Sequence, residues 1–284
     1  MSQTQQVPTI DLGGGVAIPQ LGFGVFQVPP QDTEEVVLRA LEVGYRHIDT
    51  AAAYRNEAGV GRAVTRFGLP REEVFITTKL WNADHGHDST IQAFAASAER
   101  LQMDYVDLYL IHWPVPKADR YVETFQAFTE LRDAGRVRAI GVSNFKEAHL
   151  RRVVDGTGET PAVNQIELHP YLQQEELRLV HDELGIVTEA WSPLAQGAVL
   201  DDPVITRIAE AHGRTPAQVV LRWHLQIGNV VIPKSVTPAR MKENFDVFDF
   251  ELTSDDLDAI HDLDKGEAGR TGPDPDEFAL GLDG

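Results

Sequence analysis

Residues 88–112 read DSTIQAFAASAERLQMDYVDLYLIH and contain one helix and one strand of the predicted fold. The run from Val106 to His112 is short and almost continuously apolar, which is typical of a parallel strand buried on both faces. The preceding residues predict a helix that begins at Asp88 or Ser89, because apolar residues recur there at the spacing of one helical face. That face consists of Ile91, Phe94, Ala95, Ala98 and Leu101.

The same alternation of helix and strand extends along the chain. Two helical patterns are well delimited: Asp32–Leu41 opens with Asp32 and Glu35 in capping-box spacing, and Glu175–Leu184 precedes Gly185. Eight such units with right-handed crossovers predict an α/β fold, a (β/α)8 TIM barrel, with a doubly wound open sheet as the main alternative. The eight candidate strands are Leu21–Phe26, His47–Ala51, Val74–Leu80, Val106–His112, Arg138–Ser143, Val163–Leu168, Ile186–Trp191 and Val230–Pro233.

Two segments lie outside this repeat. Residues 9–18 contain three consecutive glycines and predict an N-terminal β-hairpin, which we expect to close the bottom of the barrel. Residues 265–284 contain several glycines and prolines and predict a C-terminal loop over the active-site face. The length suits one α/β barrel, so we predict that residues 1–284 form a single domain.

Composition and charge exclude several classes of function. The chain has 25 Lys and Arg against 44 Asp and Glu, and this net charge of −19 disfavours binding to nucleic acids and anionic membranes. It has no cysteine, which excludes disulfides, thiolate nucleophiles and zinc–cysteine sites. The sequence has no leader pattern and no long apolar span. We therefore expect a cytoplasmic protein. We also expect a monomer whose partner is a small molecule, although nothing in these features bears on the oligomeric state.

Polar residues in and after the predicted strands indicate where chemistry could occur, because a parallel barrel gathers the carboxyl ends of its strands on one face. Lys79 lies in an apolar run and needs a carboxylate partner, for which Asp49 is the natural candidate. Such a pair on its own could be structural. Tyr54 favours catalysis, because a phenol beside an ammonium ionises more easily and can act as a general acid and base.

His112 ends the fourth predicted strand. A lone histidine at a strand end is more often a satisfied residue of the core. Near Tyr54, however, a neutral imidazole can donate a hydrogen bond to a substrate carbonyl and stabilise the negative charge that develops on its oxygen. We interpret Asp49, Tyr54, Lys79 and His112 as one catalytic set.

These residues lie in motifs that resemble the aldo-keto reductase superfamily, nearest its bacterial 2,5-diketo-gluconate reductases. The motifs are HIDTAAAY at 47–54, TTKLWN at 77–82, DLYLIHWP at 107–114, IGVSNF at 140–145 and VNQIELHP at 163–170. The resemblance extends in order from Thr9 to about Asp264. It implies a (β/α)8 barrel that reduces aldehydes or ketones with NADPH. Tyr54 is then the proton donor, Lys79 lowers its pKa, Asp49 holds Lys79, and His112 orients the carbonyl.

The cofactor also rests on this resemblance, and hydride transfer needs one because no side chain supplies hydride. Residues 22–27 have two glycines of a dinucleotide fingerprint but Gln27 in place of the third, so they do not support a Rossmann turn. Trp191 is expected to stack on the nicotinamide, and the cations at 234 and 240 are expected to bind the 2′-phosphate of NADP. The implied cofactor contacts are Gly22, Ser143, Asn144, Gln165, Trp191, Ser192, Leu194, Gln196, Lys234, Ser235, Val236, Thr237, Arg240 and Asn244. The expected substrate contacts are Phe23, Trp81, His112 and Trp113.

Two other functions remain open at this point. A cofactor-binding regulatory subunit on the same fold is disfavoured by the intact Tyr54 and Lys79. A metal-dependent barrel hydrolase is disfavoured because Lys79 is explained without a metal. His85 and His87 lack a third ligand, and we interpret their polar loop as solvated, so no metal site is predicted.

Overall fold

The computed structural model describes residues 7–281, which contain ten strands and ten α-helices. The strands are β1 (Thr9–Asp11), β2 (Ala17–Pro19), β3 (Phe23–Gly24), β4 (His47–Asp49), β5 (Phe75–Leu80), β6 (Val106–Ile111), β7 (Val137–Ser143), β8 (Val163–Glu167), β9 (Val187–Trp191) and β10 (Val230–Val231). The helices are α1 (Thr33–Val43), α2 (Glu57–Phe67), α3 (His87–Leu101), α4 (Tyr121–Asp133), α5 (Glu147–Thr157), α6 (Glu175–Leu184), α7 (Pro203–His212), α8 (Pro216–Gln226), α9 (Pro238–Phe245) and α10 (Ser254–His261).

The eight strands β3 to β10 form one parallel sheet in chain order. The two edges of this sheet meet, because Leu21 bridges Val231 in parallel and the Gly22 N–H donates to the Val231 carbonyl at 2.8 Å. A further bond joins the Gly24 N–H to the Pro233 carbonyl at 3.1 Å. The predicted (β/α)8 barrel is therefore confirmed, and the doubly wound open sheet was the wrong alternative.

The N-terminal hairpin is also confirmed. Strands β1 and β2 pair antiparallel, with Ile10 opposite Ile18. Val16 and Ile18 pack with residues from the first half of several barrel strands in one apolar cluster, which includes Phe75 and Val230. The hairpin therefore closes the amino-terminal end of the barrel, so that the opposite end is left for the site.

The capping box predicted for α1 is not formed. Asp32 has helical backbone angles and its side chain makes no capping hydrogen bond. The chain already turns at Pro29, whose carbonyl accepts from the Asp32 and Thr33 N–H groups. Glu35 instead pairs with Arg66 of α2 at 2.6 Å. The prediction was wrong in part because the Pro29 carbonyl already occupies the Asp32 N–H, which the Glu35 side chain would bind in a capping box.

None of the helices within residues 7–281 is long and apolar enough to cross a membrane.

Candidate active site

The interior of the barrel is layered because side chains alternate along each strand. In β5, Phe75, Thr77 and Lys79 share one face, and Phe75 belongs to the apolar cluster at the closed end. Ile76 and Leu80 belong instead to the core between the strands and the helices. Lys79 therefore lies inside the barrel, toward the carboxyl ends of the strands.

Lys79 is the centre of a charged layer at this end. Its Nζ lies 2.7 Å from each carboxylate oxygen of Asp49 and 3.0 Å from the Thr50 carbonyl. The Tyr54 hydroxyl lies 3.5 Å from the same nitrogen. The Lys79 side chain is fully buried. The expected ion pair is therefore formed, and the Tyr54 hydroxyl is in hydrogen-bonding contact with its cation.

Burial and charge act in opposite directions on these groups. Burial favours a lower pKa for Lys79, but Asp49 together with the nearby Tyr54 and Glu189 outweighs it and the pKa is raised, so the ammonium remains charged. Burial raises the pKa of Tyr54, and the Lys79 charge only partly opposes that rise. The pKa of Tyr54 is thus raised overall, and the expectation that it is lowered was wrong in that respect. Lys79 lowers the pKa only relative to the value that burial alone would impose.

A second carboxyl group, Glu189, lies next to the ion pair. Gln165 Nε2 donates to Asp49 Oδ2 at 2.8 Å and to Glu189 Oε2 at 3.0 Å. Burial, with the nearby Asp49 charge, raises the pKa of Glu189 to about 8. Burial lowers the pKa of His47, whose Nε2 is 3.7 Å from Glu189 Oε1, to about 3. Burial therefore disfavours a charge on both Glu189 and His47 at neutral pH.

His112 lies beside Tyr54 and follows β6 directly. The backbone N–H of His112 donates to the Leu80 carbonyl at 3.2 Å, and its backbone carbonyl accepts from Asn144 Nδ2 at 3.0 Å. The imidazole and the Tyr54 ring have centroids 5.6 Å apart. Burial and the charge of Lys79 hold the pKa of His112 well below its ordinary value, so the imidazole is neutral. A neutral imidazole retains one N–H that it can donate.

Aromatic rings extend outward from Tyr54 and His112 and line the mouth of the barrel. One of them, Phe278, comes from the C-terminal loop, so the predicted position of that loop over this face is confirmed for its described residues. The ring centroids are 5.0 Å apart for Phe26 and Tyr54, 5.3 Å for Trp81 and His112, 6.4 Å for Trp81 and Phe278, and 4.3 Å for Trp113 and Phe278.

Phe23 is not among these rings. It is 1% exposed, and its ring packs 5.3 Å from that of Tyr45 in the core outside the barrel. Gly22 faces inward instead, where a Cβ atom would lie 2.4 Å from His47 Nδ1. The structure therefore does not support Phe23 as a substrate contact and gives Gly22 a packing role at the barrel seam. Phe26, which is 55% exposed, lies at the mouth in its place.

The residues expected near the nicotinamide form one hydrogen-bond network. Trp191 Nε1 donates to Asn144 Oδ1 at 2.8 Å. Both amide hydrogens of Asn144 are engaged, by the His112 carbonyl and by Ser143 Oγ. The Ser143 hydroxyl in turn donates to the Gln165 carbonyl at 2.8 Å. The structure therefore brings these residues together at the ends of neighbouring strands.

The loop after β9 has an unusual backbone. Ser192, Ala195 and Gln196 have φ angles of 51°, 48° and 55°, in the left-handed region that favours glycine. Backbone strain of this kind clusters at ligand sites. Leu194 is partly buried in this loop, whereas Gln196 is exposed.

The predicted 2′-phosphate contacts lie between β10 and the body of α9. Lys234, Thr237 and Arg240 are exposed, and Val236 is 47% exposed. Ser235 Oγ accepts from the Thr237 N–H at 3.1 Å and so shapes the turn before the helix. Within the described part of the chain, neither Lys234 nor Arg240 has a carboxylate oxygen within 4.0 Å. Asn244 lies one turn beyond Arg240 and is buried.

The model of the Aldo/keto reductase family matches residues 19–265, which include all eight strands of the barrel. The chain belongs to the aldo/keto reductase family. It is an oxidoreductase of the class that reduces aldehydes and ketones with NADP(H), as the resemblance of its motifs implied.

Individual relatives agree with this assignment. An aldo-keto reductase of Mycolicibacterium smegmatis is 61% identical over 95% of this chain and 98% of the relative. Methylglyoxal reductase DkgA of Escherichia coli is 54% identical over 95% of this chain and 97% of that protein. A crystal structure of a Gox0644 variant in complex with NADPH has a TM-score of 0.93 and 51% identity, and covers 96% of this chain and 99% of that one.

In this aldo/keto reductase, His85 and His87 differ in their exposure to solvent. His87, the first residue of α3, is partly exposed, and its ring nitrogens lie 2.9 Å from Asp88 and from Glu130. His85 is only 2% exposed, so the interpretation of both histidines as solvated was wrong for His85. Burial lowers its pKa to about 4. In residues 7–281, no three side chains of the metal-ligating types gather at one point.

Two carboxyl groups of this reductase were overlooked or left without a role by sequence reasoning. Glu189 was missed, although it interrupts an apolar strand two residues before Trp191. Glu167 lies at the end of β8, within the motif VNQIELHP, and was given no function. The signal was the same in both cases, because an acidic residue in a buried parallel strand needs a partner.

The raised pKa of Glu189 predicts how stability depends on pH. The folded protein holds a proton at Glu189 up to about pH 8, which an unfolded glutamate releases near 4.5. The stability linked to this proton is therefore complete below the unfolded pKa and is lost as pH rises through 8. Glu189→Gln cannot ionise. We expect the melting temperature of Glu189→Gln minus that of the wild type to increase as pH rises from about 5 to about 9.

Thermal unfolding of both proteins across this pH range measures the effect, with about 2–4 °C expected per kcal/mol for a protein of this size. Glu183→Gln is the control, because Glu183 is an exposed partner of Arg151. A difference between Glu189→Gln and wild type that stays constant with pH would contradict the assignment.

Proposed function

We propose that this chain reduces aldehydes and ketones to alcohols by hydride transfer from NADPH, with Tyr54 as the proton donor. The observation that carries this proposal is the buried Lys79 ammonium, which contacts the Asp49 carboxylate and the Tyr54 hydroxyl together. A structural ion pair needs no phenol. The phenol adds a transferable proton at the open end of the barrel.

Proton transfer follows from this arrangement. As the carbonyl carbon accepts hydride, its oxygen gains negative charge and takes the proton from Tyr54 Oη. The tyrosinate that forms lies next to the Lys79 ammonium, which stabilises it in a site of low polarity. Asp49 keeps Lys79 in place and charged.

His112 orients the substrate in this proposal. Its imidazole is neutral, so it donates an N–H to the carbonyl oxygen without competing with Tyr54 as an acid. The contact also stabilises the negative charge on that oxygen. Trp81 and Trp113, with Phe26 and Phe278, form an apolar wall that excludes water and suits small or medium carbonyl compounds.

The described residues fit NADPH, which supplies the hydride when bound. Trp191 offers an indole face to a flat ring. The amide hydrogens of Asn144 are both engaged, and the Gln165 amide nitrogen already donates to Asp49 and Glu189. The side-chain oxygens of Asn144 and Gln165 are therefore the groups that can accept from the NH₂ of a carboxamide. The exposed cations Lys234 and Arg240 suit the 2′-phosphate. The remaining contacts proposed are Gly22, Ser143, Ser192, Leu194, Gln196, Ser235, Val236, Thr237 and Asn244.

Arg240→Ala tests the phosphate contact. It should raise KM for NADPH about tenfold and change KM for NADH by less than about twofold, because only NADPH carries the 2′-phosphate. Lys242→Ala is the matched control, since Lys242 is an exposed cation on the same helix. Equal losses with both cofactors would contradict the assignment of Arg240.

The activity itself is tested with purified protein, NADPH and a panel of aldehydes, α-keto esters and keto sugars, followed by nicotinamide absorbance. Methylglyoxal belongs in the panel because one relative bears the name of a methylglyoxal reductase. Turnover of at least one carbonyl compound is expected. NADPH binding without turnover of any of them would favour the regulatory alternative.

We also propose that the chain is a single domain over residues 1–284 and a cytoplasmic monomer that binds neither nucleic acid nor membrane. The net charge of −19 supports the last point. Residues 1–6 and 282–284 lie outside the described part of the chain.

A further inference from the structure

Glu167 anchors the C-terminal loop to the barrel. Its Oε1 accepts from the Thr271 N–H at 2.7 Å, the Thr271 hydroxyl at 2.6 Å and His169 Nε2 at 3.1 Å. Its Oε2 accepts from the Gly272 N–H at 2.9 Å. The Arg270 guanidinium lies 3.9 Å from the same oxygen. One buried carboxylate therefore binds three consecutive residues of the loop.

This anchor lies beside the residue proposed to carry the nicotinamide. Glu167 and Trp191 are direct neighbours across β8 and β9. Gly272 covers both of them, because a Cβ atom built there would lie 2.5 Å from Trp191 Cη2 and 2.9 Å from Glu167 Oε2. The φ angle of Gly272 is outside the left-handed region, so the position requires glycine for lack of space and not for its backbone angles.

Trp191 is thus held from two directions. Its Nε1 is bonded to Asn144 at 2.8 Å, and the far end of its six-membered ring contacts Gly272. Glu167 fixes Gly272 in that contact. We propose that Glu167 and Gly272 are positioning residues for Trp191, which set the angle at which the indole face is presented to the nicotinamide. This inference rests on the proposed function of Trp191 in NADPH binding.

The anchor is more buried than two ion pairs of the same loop. Glu167 is 1% exposed, whereas the ion pairs of Lys146 with Asp276 and of Lys117 with Glu277 involve side chains that are one-third to three-quarters exposed. Exposed ion pairs contribute little. Burial acts to raise the pKa of Glu167, but the hydrogen bonds from its partners bring it down to about 2. The anchor is therefore ionised throughout the pH range in which enzymes are assayed.

Gly272→Ala is the sharpest test, because it adds one methyl group against the indole. We expect the dissociation constant for NADPH, measured by fluorescence titration, to rise about tenfold while kcat at saturating NADPH falls less than about threefold. In a Trp191→Phe background the smaller ring removes the contact with the indole, and only the approach to Glu167 Oε2 at 2.9 Å remains. There the same substitution should change the constant by less than about threefold. Equal weakening in both backgrounds would overturn the inference.

Glu167→Gln provides a second test through hydrogen bonding. It replaces one carboxylate oxygen by an NH₂ group. That NH₂ group then faces a backbone N–H of the loop, and two donors cannot form a hydrogen bond with each other. About tenfold weaker NADPH binding is expected, as for loss of a hydrogen bond to a charged group. Asp276→Asn is the control, because it weakens an exposed contact of the same loop with Lys146. Equal effects of the two variants, or no effect of Glu167→Gln in a folded protein, would refute a specific role of the anchor.

These outcomes are distinct from failure of the proposed function. If the wild-type protein neither binds NADPH nor reduces any carbonyl compound, the proposed function fails. If the wild type is active and Gly272→Ala binds NADPH as tightly as it does, only the positioning role fails.

Discussion

Tyr54→Phe is expected to reduce kcat for carbonyl reduction by about 10²–10⁴-fold, the range that general acid catalysis contributes. Phenylalanine keeps the ring that packs against Phe26 and His112, but it cannot donate a proton to the substrate oxygen. NADPH affinity should be unchanged within about twofold, because Tyr54 is not among the proposed cofactor contacts. Single-turnover kinetics at saturating NADPH measure the loss directly.

Tyr45→Phe is the matched control for this experiment. The Tyr45 hydroxyl is buried and donates to the Met241 carbonyl at 3.1 Å, away from the charged layer. Its removal should cost about 0.5–1.5 kcal/mol of stability and leave kcat unchanged. Wild-type turnover by a folded Tyr54→Phe protein would show that another group donates the proton.

Lys79→Met should have two separate effects. Turnover should fall by at least about 10²-fold, because no cation remains to stabilise the tyrosinate. The free energy of unfolding should fall by about 3–5 kcal/mol, because the Asp49 carboxylate is left buried without its cation. Gln165 still donates to Asp49, but one neutral hydrogen bond does not replace a charge at 2.7 Å.

The double variant Asp49→Asn with Lys79→Met separates these effects. It removes both buried charges, so we expect most of the lost stability to return while activity stays low. Urea denaturation and initial rates on the same preparations measure the two quantities. If the double variant is less stable than Lys79→Met alone, the unpaired carboxylate is not the cause of the instability.

Much of the fold follows from local patterns in the sequence. The period of helix α3 and the apolar run of β6 are visible without any tertiary information, and repetition of that unit is enough to predict a parallel barrel. The capping box at Asp32 was wrong because a single turn at Pro29 changed which backbone donors were free. The first and last barrel strands, β3 and β10, are also shorter than predicted, because the regular ladder of backbone hydrogen bonds ends where the chain leaves the barrel seam.

The site was predictable to the extent that it depends on strand ends. Asp49, Lys79 and His112 were identified because polar residues at the carboxyl ends of parallel strands converge. Phe23 was misplaced because the alternation of β3 places Gly22 inside the barrel and Phe23 outside it. A strand of two residues has too few side chains to reveal that phase in the sequence.

The sequence by itself determined the order of strands and helices and the residues proposed as the catalytic set. Only the tertiary structure decided which groups meet across the barrel. Gln165 joins Asp49 to Glu189 from strands 116 and 24 residues apart, and Glu167 binds Thr271 from 104 residues away. The physical reason is that a periodic pattern records which face of an element is buried. The pattern does not indicate which distant residue donates hydrogen bonds to a carboxylate on that face.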